Sequence, residues 1–187
     1  MVGAGYWGKN HIRTLNDLGI LGGIVESNGD LLGRFQEQYP NIKTYHNLDD
    51  ALYNEMFSGY TVATPAETHY SIAKKIIEAK KHVLVEKPFA LQIEHAKELV
   101  KLAHEKNVNL MVGHVMLFHP AIIKIKELIS KEIIGDLQYI YSNRLNLGQV
   151  RTEENVFWSL APHDISIFQS FTDTFPTEIK AQGSSFL

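Results

Sequence analysis

The residues with chemistry to offer fall at three places along the chain. Near the start, Gly3-Ala4-Gly5-Tyr6-Trp7-Gly8 spells G-x-G-x-x-G. In that spacing the first glycine allows a tight turn, the second lets backbone approach a pyrophosphate, and the third lets a helix pack closely on a strand. In the middle, the apolar run Val83-Leu84-Val85 delivers Glu86-Lys87-Pro88. A lysine at a strand's end, with the φ-fixed Pro88 behind it, can be set against a bound substrate. Alone, Lys87 reads as a solvated loop residue; the glycine motif before it and a histidine after it support the catalytic reading. That histidine, His163, follows Pro162 in what reads as a first helical turn. There the helix dipole disfavours imidazolium, and a neutral ring is what a general base needs. The same residue also reads as an ordinary surface or capping histidine.

Elements must carry these residues to one place. After Gly8 a helix pattern runs through Ile12, Leu15 and Leu18 to Gly19, a glycine suited to a helix end. Phosphate would sit at that helix's positive N-terminus, with Tyr6 and Trp7 on the same turn. Residues 21–25 read as a strand ending in Glu26, about 20 positions past the glycines and so placed to accept hydrogen bonds from an adenosine ribose. Its charge would repel a 2′-phosphate, which favours NAD; Arg34 nearby keeps NADP open.

Residues 31–39 read as a helix, 42–45 as a strand, 48–53 as a short helix and 60–63 as another strand. Thr64-Pro65-Ala66-Glu67 then marks a helix start, with Thr64 as N-cap and Glu67 closing a capping box. The nicotinamide half of a dinucleotide would lie at this turn, against Thr64 and Pro65, with His69 either a cofactor contact or a first-turn surface residue. The strand at 83–85, a helix over 93–103 and a strand at 110–112 complete the alternation. Strands alternating with helices predict right-handed βαβ units and a parallel sheet.

Past His114 the pattern changes, dividing the chain into residues 1–115, an α/β dinucleotide-binding domain, and 116–187, the beginning of an α+β domain. A helix opens at Pro120, and residues 137–147 alternate as a long strand with Ser142, Arg144 and Asn146 on one face. That face reads either as solvated or as substrate-contacting. A polar stretch including Arg151 follows, then the helix carrying His163, then a last strand over 176–187.

A net charge of −3 gives no reason to expect a nucleic-acid or anionic-membrane partner, and the absence of cysteine excludes disulfides and thiolate chemistry. No apolar run approaches the roughly 20 residues of a membrane span, and no basic-then-apolar opening marks a signal peptide; a cytoplasmic location is compatible with both. A metal site built from His114, His119, His163 and Asp164 lacks ligand spacing on one helix face, so no metal is expected.

Together, the glycine motif, Ala63-Thr64-Pro65, Glu86-Lys87-Pro88 and Ala161-Pro162-His163-Asp164 resemble the glucose-fructose oxidoreductase, inositol dehydrogenase and MocA family. The resemblance implies a Rossmann domain holding NAD or NADP, and a second domain built on a large, mostly antiparallel sheet. It implies Lys87 and His163 as the catalytic pair. Gly3, Gly5, Tyr6, Trp7, Gly8, Glu26, Thr64, Pro65, His69, Glu86 and Lys87 are then expected on the cofactor side. His114, Arg144, Asn146, Arg151, Trp158 and Ser159 are expected on the substrate side. The stretch from Asn143 to Trp158 is similar to members associated with nucleotide sugars. The implied activity is hydride transfer between nicotinamide and a secondary hydroxyl or ketone of a sugar, cyclitol or nucleotide sugar, in a protein whose full-length form is a homo-oligomer. Two departures stand out. Ser159 occupies the position, four before the histidine, where many members carry Asp, so a non-catalytic dinucleotide-binding regulator or an inactive fragment is the alternative. Members are also near twice this length, and only Met1 and Val2 precede the glycines, where a strand of about five residues is expected. The first strand therefore reads as clipped, with its neighbours short of ladder partners.

Overall fold

The computed structural model describes residues 1–54, 56–145 and 155–184, which form two compact units, Met1–Gly113 and His114–Leu187. In the first unit five short strands run parallel: β1 (Gly23–Val25), β2 (Lys43–Tyr45), β3 (Gly59–Val62), β4 (His82–Val85) and β5 (Leu110–Val112). Val2 bridges β1 at Val25 and β3 at Val62, both parallel, and so joins the two halves into one sheet ordered β2-β1-Val2-β3-β4-β5.

This corrects the expectation that the neighbours of a clipped strand lose their ladder. Val2 N–H donates to Thr61 O (2.7 Å) and Val2 O accepts from Ala63 N–H (2.9 Å). Val25 N–H donates to Met1 O (2.8 Å), Gly3 N–H donates to Val25 O (2.9 Å), and the Met1 amine reaches Gly23 O (2.8 Å). Because a strand's amides alternate between neighbours, three residues suffice to bond both sides at the glycine-loop end.

Helices α1 (Gly8–Asp17), α2 (Gly29–Gln38), α3 (Leu48–Tyr53), α4 (His69–Glu78) and α5 (Ile93–Lys106) cover the sheet. Side chains on a strand alternate between faces, and the core follows suit. Ile24 packs with Ile12, Leu32 and Phe35, whereas Val25 packs with Val62, Ile76, Ile77, Val85 and Leu99. Two polar side chains start helices where expected from their type: Asn28 accepts from Leu31 N–H and Asn47 from Asp50 N–H. Gly19 follows α1 with φ +70°, as a helix-terminating glycine should.

Three local expectations fail. Thr64 does not cap a helix and Glu67 closes no box: a 3₁₀ turn (Ala66–Thr68) intervenes, α4 begins only at His69, and the Thr64 hydroxyl accepts from that of Thr68 at 2.7 Å. Residues 137–145 and 176–184 form no ladder, since alternation fixes a face but a strand also needs a partner backbone. The remainder of both expected strands, 146–147 and 185–187, lies outside the described residues.

The third concerns the second unit, where α6 (Pro120–Ser130) and α7 (Val156–Thr172) are the α-helices described. The Asn155 side chain accepts from Trp158 N–H (3.0 Å) and starts α7 well before Pro162, which lies inside the helix. His163 is therefore about two turns in, where a dipole effect confined to the first turn no longer acts. Among the described residues no helix is long and apolar enough to cross a membrane.

Candidate dinucleotide and catalytic site

Three turns leave the carboxyl ends of β1, β3 and β4 beside the glycine loop. The loop has the geometry its glycines anticipate. Gly3 sits at φ +85°, and a Cβ there would fall 2.8 Å from Ala63 O. A Cβ on Gly8 would fall 2.0 Å from Gly3 O, so only glycine lets α1 start this close to the turn. At Gly5 a Cβ would meet nothing within 4 Å. The backbone there borders open space, next to the first-turn amides of α1, an arrangement of the kind that binds anions. Tyr6 and Trp7 are exposed at the tip, edge to face with ring centroids 6.1 Å apart.

Glu26 ends β1 as expected. Its Oε2 accepts from Ala4 N–H (2.8 Å) inside the glycine loop, and Oε1 accepts from Asn28 N–H (2.9 Å). The carboxylate is thus held at the loop while remaining partly exposed. Thr64 lines the loop from the β3 side, its Cγ2 2.8 Å from where a Cβ on Gly3 would stand, and Pro65 follows it, exposed.

The β4 turn holds Lys87 between two buried neighbours. Glu86 is 7% exposed; its Oε1 accepts from His11 Nε2 at 2.7 Å and its Oε2 from Lys87 N–H at 3.2 Å. Burial alone would raise the Glu86 carboxyl's pKa, but the bond and charge of His11 and the Lys87 amide and charge together hold it below the ordinary value. Gly113, at the end of β5, closes against this carboxylate: a Cβ there would stand 3.1 Å from it. Pro88, joined to Lys87 by a cis peptide, offers its carbonyl to His69 Nδ1 at 2.7 Å. His69 Nε2 lies 2.9 Å from Thr64 O, and the residue is 1% exposed.

Two expectations on the cofactor side are thereby corrected. His69 is neither a surface residue nor a cofactor contact, because it is buried and both ring nitrogens are engaged by backbone. Glu86 turns its carboxylate inward to α1 rather than out to a ligand. Sequence reasoning also missed His11. Its signal was available: it lies three residues past Gly8, one helical turn along the face that packs on the sheet.

In the second unit, Asp164 Oδ1 accepts from Ser142 Oγ (2.8 Å) and Oδ2 from Arg144 Nε (2.7 Å). Arg144, expected to face a substrate, is thus paired with the residue following His163. Ser159 and His163 lie four apart in α7 and share a helix face. Trp158 is exposed near the start of α7, and His114 precedes a 3₁₀ turn (Val115–Phe118). Asn146 and Arg151 lie outside the described residues.

Comparison with known proteins agrees with this architecture. The chain is 26% identical over 98% of its length to UDP-N-acetylglucosamine 3-dehydrogenase of Acidithiobacillus ferrooxidans, and it spans 56% of that relative. It is similar to the solved WlbA dehydrogenase of Bordetella pertussis in complex with NADH and UDP-GlcNAcA, with a TM-score of 0.65 and 28% identity over 70% of this chain and 38% of that one. It shares the fold of GenD2 from gentamicin A biosynthesis, solved with NAD, with a TM-score of 0.79 and 24% identity over 91% of this chain and 52% of that one. The chain thus spans about half the length of the curated relative. Residues 1–114 match the model of the GFO_IDH_MocA oxidoreductase family, NAD-binding Rossmann fold, and the chain belongs to that family.

Proposed function

We propose that the protein is an NAD-dependent dehydrogenase acting on a secondary hydroxyl of a sugar, with a nucleotide sugar the favoured substrate class. The observation that carries this reading is the β4 turn. It presents Lys87 at the carboxyl edge of a parallel sheet, beside a glycine loop with room for a pyrophosphate. Likeness to a UDP-N-acetylglucosamine 3-dehydrogenase and to a WlbA structure holding NADH and UDP-GlcNAcA supports the substrate class.

In this reading Gly3, Gly5 and Gly8 with the first amides of α1 bind the pyrophosphate. Glu26 accepts from the adenosine ribose, and the Thr64-Pro65 turn borders the nicotinamide. NAD, when bound, supplies the hydride acceptor. Lys87 donates a hydrogen bond to the substrate oxygen and stabilises the negative charge developing there, and His163 takes the hydroxyl proton. Positioned acid–base help of this kind is worth about 10²–10⁴-fold. His114, Arg144, Asn146, Arg151, Trp158 and Ser159 belong to the substrate side of the proposal.

Ser159 motivates a second reading, a dinucleotide-binding regulator without turnover, since a hydroxyl cannot supply the negative charge of the carboxylate usual at that position. Absorbance at 340 nm with a panel of UDP-sugars, free sugars and cyclitols separates the two. NADH formation with any member supports the dehydrogenase. Tight NADH binding with no turnover across the panel supports the regulator.

A further inference from the structure

Lys87 gains its place from the backbone of residues 86–88, and two histidines hold this segment, one through the Glu86 side chain and one through the Pro88 carbonyl. His11, on α1, binds the Glu86 carboxylate at 2.7 Å, and the same carboxylate accepts from Lys87 N–H at 3.2 Å. Gly113 closes off the space beneath that carboxylate. His69, the first residue of α4, spans from Pro88 O (2.7 Å) to Thr64 O (2.9 Å). Both of its partners are carbonyls, which only accept, so the ring donates through whichever nitrogen carries the hydrogen and sits against the other carbonyl. A side chain 1% exposed leaves such groups no water to turn to, and an unmade bond there is costly.

Each histidine therefore ties the lysine turn to a different cofactor-side loop. His11 lies one turn into the helix that starts at the glycine loop, and His69 grips the Thr64 turn itself. We propose that His11 and His69 are positioning residues for Lys87: they lock the Glu86–Pro88 backbone to the glycine loop and to the Thr64 turn, so that the lysine keeps one place relative to bound dinucleotide. In this proposal each acts through Lys87 rather than on cofactor or substrate. The inference rests on the reading of Lys87 as the catalytic lysine.

The test reads Lys87 directly rather than through turnover. The full chain is labelled with trace acetic anhydride, and the relative rate at each lysine is read by peptide mass spectrometry, with Lys9, Lys43 and Lys101 as internal controls. In His11→Ala and His69→Ala the rate at Lys87 should change by about fivefold, the size expected from one lost hydrogen bond, while the controls move less than about twofold. His11→Gln, whose carboxamide can still donate to Glu86, should restore most of the wild-type rate. His69→Gln, which keeps donors on one nitrogen only, should restore part of it. A general loss of structure moves all lysines together and is not rescued by Gln. A Lys87 rate unchanged in folded variants, or NADH affinity lost with Lys87 unmoved, would overturn the proposal. Should the alanine variants not fold, the His69 ring is read in the unmodified protein by ¹⁵N NMR. A ring N–H protected from exchange with solvent supports the tie, and a ring that exchanges freely refutes it. If Lys87→Ala keeps turnover while labelling responds as expected, the catalytic reading of Lys87 fails and the tie stands.

Discussion

At the scale of single residues the β4 turn concentrates the consequences. Lys87→Ala should abolish turnover and leave NADH affinity within about tenfold, since the proposed reading sets the residue against the reacting carbon rather than the pyrophosphate. Near-wild-type turnover in that variant would show that another group does the work. Glu26→Ala should relax a preference for NAD over NADP, measured by calorimetry with both cofactors. The carboxylate is fixed by Ala4 N–H at the glycine loop and in the proposed reading would oppose a 2′-phosphate; equal affinities in the wild type would remove the claim. Glu86 sets a pH response. Its folded carboxyl titrates below the ordinary 4.5, so the native state favours the ionised form and the unfolded chain binds the proton first on acidification. The stabilisation is present above the unfolded value and is lost as pH falls through the folded one. Melting temperature against pH should therefore show a steeper acid limb for wild type than for Glu86→Gln. Parallel curves would mean that the carboxylate contributes no such linkage.

At the scale of elements, the glycine loop and α1 separate packing from binding. In Gly8→Ala the new methyl would collide with Gly3 O at 2.0 Å. The helix must back away from the turn, at a cost of about 1–3 kcal/mol for overpacking, and NADH binding should fall with it. Gly5→Ala meets no protein atom within 4 Å and should melt within about 0.5 kcal/mol of wild type, as a strain-free substitution does. In the proposed reading its methyl stands where backbone approaches pyrophosphate, so NADH affinity should drop by more than about tenfold, or about 1.4 kcal/mol. Thermal melts and NADH titrations of the two variants check both halves. Unchanged binding in Gly5→Ala would place the pyrophosphate elsewhere.

Across the whole molecule, the two units differ in how much apolar surface each buries by itself. Both buried clusters belong to the first, around Ile12 and Ile24 and around Val62, Ile76, Ile77 and Leu99. In the second, Ile167 is the one buried hydrophobic among the described residues, while Ile123, Tyr139, Phe157 and Phe175 are exposed. Protection against hydrogen exchange follows burial and local contact density. Amides of β3, β4 and α4 should exchange slowest, by orders of magnitude relative to α6 and residues 137–145, in exchange mass spectrometry on the chain. Equal protection in both units would show that the second is stabilised by something other than its own buried core.

The alternation of strand and helix through residue 113, the glycine turn, the acidic end of β1 and the lysine at the end of β4 were all readable in the residue order. Each is specified locally, by side-chain period, by a backbone conformation open to glycine, or by the end of an apolar run. The start of α7 was misread because Pro162 is a strong local sign, whereas Asn155 captured the helix end seven residues earlier and left His163 deep inside it. What the residue order could not disclose was which polar groups meet. His11 and Glu86 are 75 positions apart, and His69 and Pro88 are 19; no periodicity links them. They meet because parallel strands gather their carboxyl ends along one edge, and buried polar groups there must bond to one another once water is excluded. The place of Lys87 at the end of an apolar run could thus be read from the sequence, but the surroundings that hold it exist only in the folded sheet.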